Sequence, residues 1–114
     1  MNKEKFKIIQ FIRELIVYID NSMENFPKKD IELKNRIRNN SYDLLEIAYE
    51  ANAVEDTKIK KELLIKSISK IKIIDFLLNL SYDKQIINEK KYLKFANKLD
   101  DIAKYTNGWL KSIK

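Results

Sequence analysis

Apolar residues recur at spacings of three and four along most of the chain, which sets them on one side of an α-helix. From about Glu4 to Asn25, Ile8, Ile12, Leu15, Ile16, Ile19 and Met23 form one stripe, widened by Phe11, Val17 and Tyr18. Pro27 ends this segment, because the residue before a proline avoids helical geometry. Phe26 is expected to fold back onto the end of the bundle. A second segment, about 30–53, begins near Asp30, a candidate N-cap. Its stripe is Leu33, Ile37, Leu44, Ala48 and Ala51, interrupted by Ser41 and flanked by Ile31, Tyr42, Leu45 and Tyr49. A third, about 57–80, starts near Asp56 or Thr57, either of which can cap, and its stripe carries Leu64, Ile68, Ile71 and Leu78. A fourth, about 88–111, follows a three-four alternation through Tyr92, Phe95, Leu99, Ile102, Thr106, Trp109 and Ile113. That is the pattern of a bundle seam, and Thr106 is its only polar member.

Segments of roughly 22–25 residues span about 33–38 Å at 1.5 Å per residue. Matched lengths and short connections predict an all-α fold, an antiparallel up-down-up-down four-helix bundle over a single domain, 1–114. The third segment adds a complication. From Ile71 to Leu80 only Lys72, Asp75 and Asn79 are polar. A helix apolar almost all round needs cover on more than one side, and a bundle this small covers one. Ile73, Phe76, Leu77 and Leu80 are therefore expected to form an interface with further copies of the chain.

Composition narrows the class. One Gly (Gly108) and one Pro (Pro27) are too few for the turns of a sheet-rich fold. The chain has neither Cys nor His, which excludes disulfides, the usual zinc sites and the commonest general base. No window approaches the ~20 apolar residues of a membrane span, and the N-terminus shows no signal-like apolar run. A cytoplasmic location without membrane contact is expected. Net charge is +6, and the excess is uneven: residues 1–53 balance, whereas residues 83–114 carry eight Lys against four acids. A basic C-terminal third implies an anionic partner such as RNA or DNA.

Candidate chemistry is sparse. Asp43, Glu46 and Glu50 share a helix face, but di-iron bundles add Glu-x-x-His pairs, impossible without His. They read as a solvated acidic face, and no metal or cofactor is expected; a carboxylate-metal enzyme would need clustered inward acids. Asp75, alone in an apolar run, is expected to reach the surface or to pair with a Lys or Arg, since an unpaired buried carboxylate is costly. Lys90, Lys94 and Lys98 recur every four residues, with Lys91 beside them and no acid at that spacing. Like charges so placed repel slightly, and phosphates would relieve them. Lys34 and Arg38, with Arg36 one step round, and Lys66 and Lys70 make shorter stripes. Tyr92, Phe95 and Trp109 lie on the seam and read as core, so base stacking on them is not expected. Helical ribonucleases that use an Arg-x4-His motif are excluded for want of His.

The stretch from Leu99 to Ser112, reading Leu-Asp-Asp-Ile-Ala-Lys-Tyr-Thr-Asn-Gly-Trp-Leu-Lys-Ser, resembles the C-terminal signature of the accessory variability determinant proteins of diversity-generating retroelements. Phe26-Pro27-Lys28 is similar to a segment closing the first helix in that family. Leu33 and Arg36 fall where its second helix often has a Leu and an Arg, and Tyr92 and Ala96 where its fourth has an aromatic and a small residue. Ala103, Lys104 and Asn107 depart from the usual Gly, Arg and Gly; Lys for Arg keeps the charge and loses the bidentate fork. Four-helix proteins encoded in ribosomal-RNA intervening sequences are similar too, and an interaction bundle of that type is the alternative. The resemblance implies a non-enzymatic protein that forms a five-membered ring, binds nucleic acid without strong sequence preference and associates with the element's reverse transcriptase in mutagenic cDNA synthesis. On it, Lys28, Arg36, Arg38, Lys90, Lys91, Lys94, Lys98 and Lys104 are the expected contacts to nucleic acid or polymerase. Phe26, Pro27, Gly108 and Trp109 would be structural, the last two fixing the end of the fourth helix.

Overall fold

The computed structural model describes residues 3–113, with side chains from Lys7 onward. Met1, Asn2 and Lys114, part of the expected 1–114 domain, lie outside it. Four helices, α1 (Lys3–Ser22), α2 (Ile31–Ala53), α3 (Thr57–Asp83) and α4 (Glu89–Ser112), and one 3-10 turn (Lys28–Asp30) make up the regular structure, with no strand among the described residues. Each helix packs on two others: α1 on α2 and α4, and α3 on α2 and α4. The result is a helical bundle of 45 × 23 × 19 Å.

The predicted stripes meet in one core. Ile8, Ile12, Leu15, Ile19 and Met23 from α1 and its end join Ile37, Leu44, Ala48 and Ala51 from α2. Leu64, Ile71, Ile74, Leu77 and Leu78 come from α3, and Phe95, Leu99, Ile102 and Trp109 from α4. Ile68, placed on the stripe by spacing, is only half-buried. The polar interruptions are resolved locally. Buried Ser41 and Thr106 donate their hydroxyls to the carbonyls one turn back, Ile37 at 2.8 Å and Ile102 at 2.7 Å. Ser81 does the same to Leu77 at 2.9 Å. A hydroxyl satisfied this way can sit inside an apolar seam.

Helix ends follow cap chemistry in two places and depart from it in others. The Asp56 carboxylate accepts from the backbone N–H groups of Lys58 and Ile59 at 2.8 and 3.2 Å, and Asn88 accepts from Lys91 at 2.8 Å. These satisfy donors that the first helical turn leaves unpaired. Asp30 sits at the start of α2 but makes no cap hydrogen bond. Its buried carboxylate lies 3.2 Å from Lys84 Nζ instead, tying the α1–α2 connection to the end of α3. The first helix stops at Ser22, three residues short of the expected Asn25, because the chain turns at Met23, whose carbonyl accepts from Phe26 N at 3.2 Å. Met23 and Phe26 then close the bundle end.

The third helix runs three residues past Leu80, to Asp83. Its stop is Gln85, at φ 63°, after which the N–H groups of Ile86 and Ile87 both reach the Ser81 carbonyl. Glycine usually fills this left-handed position, since any Cβ there is strained. Gln85→Gly is therefore expected to keep or raise stability by up to ~1 kcal/mol, and Gln85→Val to lower it by ~1 kcal/mol or more. Urea midpoints at unchanged slope would measure both.

Candidate nucleic-acid interface

Electrostatics sorts the basic residues into two groups. The first has carboxylates nearby within the chain. Arg36 stands 3.8 Å from Glu32 one turn back, both well exposed, a pair of little energetic weight. Lys70 Nζ lies 3.1 Å from Asp43 Oδ2 and donates to Asn40 Oδ1 at 3.1 Å across the α2–α3 groove. Lys84 holds Asp30. Arg38 is half-buried on α2, with Nε 3.2 Å from Asp20 Oδ1 of α1. That N–H is not aimed at the carboxylate and is sealed from solvent, so the contact is an ion pair without a hydrogen bond. The other arm of the guanidinium donates to the Tyr42 hydroxyl at 3.2 Å. The Tyr42 hydrogen bond, with Asp20 adding and partial burial opposing, holds the Arg38 proton more tightly than usual.

The second group is the lysines of α4. Lys90, Lys94 and Lys104 are exposed, Lys91 and Lys98 half-buried, and none forms an ion pair with a described residue. The structure does not keep them in one stripe. Lys91 lines an open depression of about 650 Å³ beside the α3–α4 turn, with Tyr82, Asp83 and Gln85. Lys94 and Lys98 lean toward α1, their Nζ atoms 4.7 and 5.4 Å from the centre of the Tyr18 ring. Lys104 lies 5.9 Å from the Tyr105 ring. Lys28 is exposed in the 3-10 turn, apart from them in the chain.

The aromatics expected in the core split as well. Phe95 and Trp109 are buried, whereas Tyr92 is half-buried. Tyr105 pairs with Phe11 at 5.5 Å and Phe95 with Tyr18 at 4.7 Å, so two aromatic pairs line the α1–α4 seam. Tyr92 serves Asp75: its hydroxyl donates to Asp75 Oδ1 at 3.3 Å and accepts from Asn79 Nδ2 at 3.2 Å, while its ring stacks on Tyr82. Of the two outcomes expected for the lone carboxylate, it partly reaches the surface, and its hydrogen-bond partner is a tyrosine rather than a Lys or Arg. A neutral hydroxyl suffices because Asp75 is only half-buried.

On α3, Ile73 and Phe76 face outward at 48% and 61% exposure. Leu80 is half-buried, and Leu77 points into the core. Ile65, 55% exposed, falls on the same outer face by helical spacing and was not expected there. Phe26 packs against the core and Pro27 opens the 3-10 turn. Gly108 does not end α4. It lies inside the helix without positive φ, and the helix continues to Ser112, whose hydroxyl donates to the Trp109 carbonyl at 2.6 Å. Trp109 is a core residue at that end.

Among the described residues no three acids gather to hold a metal ion, and no helix is long and apolar enough to cross a membrane. The fold and surface together define a small helical bundle whose fourth helix carries lysines without ion-pair partners among the described residues. A family model described as bAvd-like matches residues 6–113, and the chain belongs to that family. The membership agrees with the resemblance carried by Phe26-Pro27-Lys28 and by Leu99 to Ser112. No curated protein and no solved structure matches the chain.

Proposed function

We propose that this chain is a non-enzymatic, cytoplasmic accessory protein of a diversity-generating retroelement, binding nucleic acid and the element's reverse transcriptase during mutagenic cDNA synthesis. The observation that carries the reading is family membership over nearly the whole chain. The α4 lysines support it, since among the described residues their charge is not spent on ion pairs and remains for phosphates. The helices are read as antiparallel. Support comes from Phe11 meeting Tyr105 while Tyr18 meets Phe95, so that later residues of α1 meet earlier ones of α4. Self-association into a ring through the outer face of α3 completes the proposal, with Ile65, Ile73 and Phe76 as its exposed apolar residues.

The mechanism is scaffolding. A ring multiplies each weak basic patch, so one strand held at several subunits gains avidity without any tight single site. Lys28, Arg36, Lys90, Lys91, Lys94, Lys98 and Lys104 are the proposed contacts; Arg38, already engaged by Asp20 and Tyr42, contributes less. Purified protein should bind single-stranded RNA with about five phosphate contacts per subunit. Its affinity should then fall about 10²-fold between 50 and 200 mM salt. It should also co-elute with the reverse transcriptase. No retention of RNA at low salt would overturn the nucleic-acid part, and separate elution the polymerase part.

A further inference from the structure

We infer that Tyr18 gathers Lys94 and Lys98 into a clamp for the phosphodiester backbone on the α1–α4 seam, which makes Tyr18 a positioning residue for nucleic acid. This rests on the proposed nucleic-acid reading and assigns it a place and a geometry.

Two lysines four residues apart on one helix face repel each other and, left alone, splay into solvent. Here both ammonium groups stay within 5.4 Å of one ring centre. The electron-rich ring face attracts them and offsets their repulsion. The ring in turn is held from the core side by Phe95, at 4.7 Å between centroids and 54° tilt, and Phe95 is fully buried. The ring is thus a fixed post rather than a loose surface side chain. Neither lysine has a carboxylate partner among the described residues, including Asp101 one turn beyond Lys98. Two fixed cations with free N–H groups suit the anionic oxygens of a phosphate.

A looser arrangement, with one lysine per ring, lies further along the seam. Lys7 and Lys104 lie 6.0 and 5.9 Å from the rings of Phe11 and Tyr105, which pack on each other. Phe11 and Tyr18 are seven residues apart, about 10 Å at 1.5 Å per residue. A single strand laid along the seam can therefore meet both positions. Bases are not what this seam reads. Stacking on Tyr18 would need a bare ring, and this one is engaged by Phe95 and two ammonium groups.

The test uses the full chain and a labelled 20-nucleotide oligodeoxythymidylate, titrated across a range of salt. Lys94→Gln with Lys98→Gln should flatten the slope of log affinity against log salt by about 1.4 and weaken binding about tenfold at 0.1 M salt. Tyr18→Leu, which fills space without a ring, should flatten the slope in the same direction. Tyr18→Phe, which keeps the ring, should match the unmodified chain, and thermal unfolding of each variant checks that the fold persists. Oligodeoxyadenylate of equal length should bind equally. If the unmodified chain binds and the double lysine variant keeps its slope, the clamp is overturned while nucleic-acid binding stands. Unmodified protein that binds neither oligonucleotide overturns the reading beneath it. If Tyr18→Leu behaves as Tyr18→Phe, the positioning role is overturned.

Discussion

Phe95→Ala is expected to cost about 3–5 kcal/mol of folding stability, the usual range for truncating a buried phenylalanine. Phe95 has no exposed surface, lies on the α4 seam and carries the Tyr18 ring. Truncation removes its own burial and also opens space under Tyr18, which α1 and α4 cannot close without shifting. Since a domain of this size holds roughly 5–15 kcal/mol in total, the variant would lose about a fifth or more of it. Urea titration followed by circular dichroism measures the effect as a lower midpoint with an unchanged slope. A loss below ~1 kcal/mol would mean the residue sits in a site that collapses freely, contrary to a closed core.

The second large effect concerns assembly. Phe76→Asp is expected to convert the proposed ring into single subunits while the helical content stays the same. Phe76 is 61% exposed, so the bundle itself loses little. In an interface it would be covered together with Ile65 and Ile73, and a carboxylate placed there without a partner costs several kcal/mol per subunit. Molar mass by light scattering reads the outcome. Leu93→Asp is the control: Leu93 is equally apolar and about half exposed, but stands on α4 instead of α3. Its mass should equal that of the unmodified chain. Unchanged mass in Phe76→Asp, or a lone subunit before any substitution, would refute assembly through α3.

The fold was legible wherever a signal was local. Three-four spacing located all four helices, and Asp56 and Asn88 cap as their residue type suggests. What spacing could not supply was the identity of partners. Asp30 looked like a cap and turned out to hold Lys84, more than fifty residues away. Asp75, expected at the surface or beside a cation, is half-buried and meets Tyr92. Leu77 looked like part of an outer face, but a helix with apolar residues all round does not declare which side its neighbours will take. The extension of α3 was hidden because the residue that stops it is a glutamine, and a left-handed stop is readable in sequence mainly through glycine.

The candidate site shows the same division. Periodicity put Lys90, Lys94 and Lys98 on one stripe, correctly for an isolated helix. It could not reveal that α1 brings an aromatic ring under two of them and leaves the third to water. Tyr18 looked like extra width on a core stripe. A tyrosine beside that stripe, opposite a helix rich in lysine, was the only available hint, and a weak one.

Trp109 is the chain's only tryptophan and is 3% exposed, near the C-terminal end of α4. Its indole is therefore a built-in optical gauge, emitting from an apolar surround in the folded chain and shifting to longer wavelength once that end melts. It stands fourteen residues from Phe95, about 20 Å along the helix at 1.5 Å per residue. Occupied phosphate contacts near Tyr18 should leave the colour of its emission almost untouched, so one spectrum can separate a bound chain from an unravelled one.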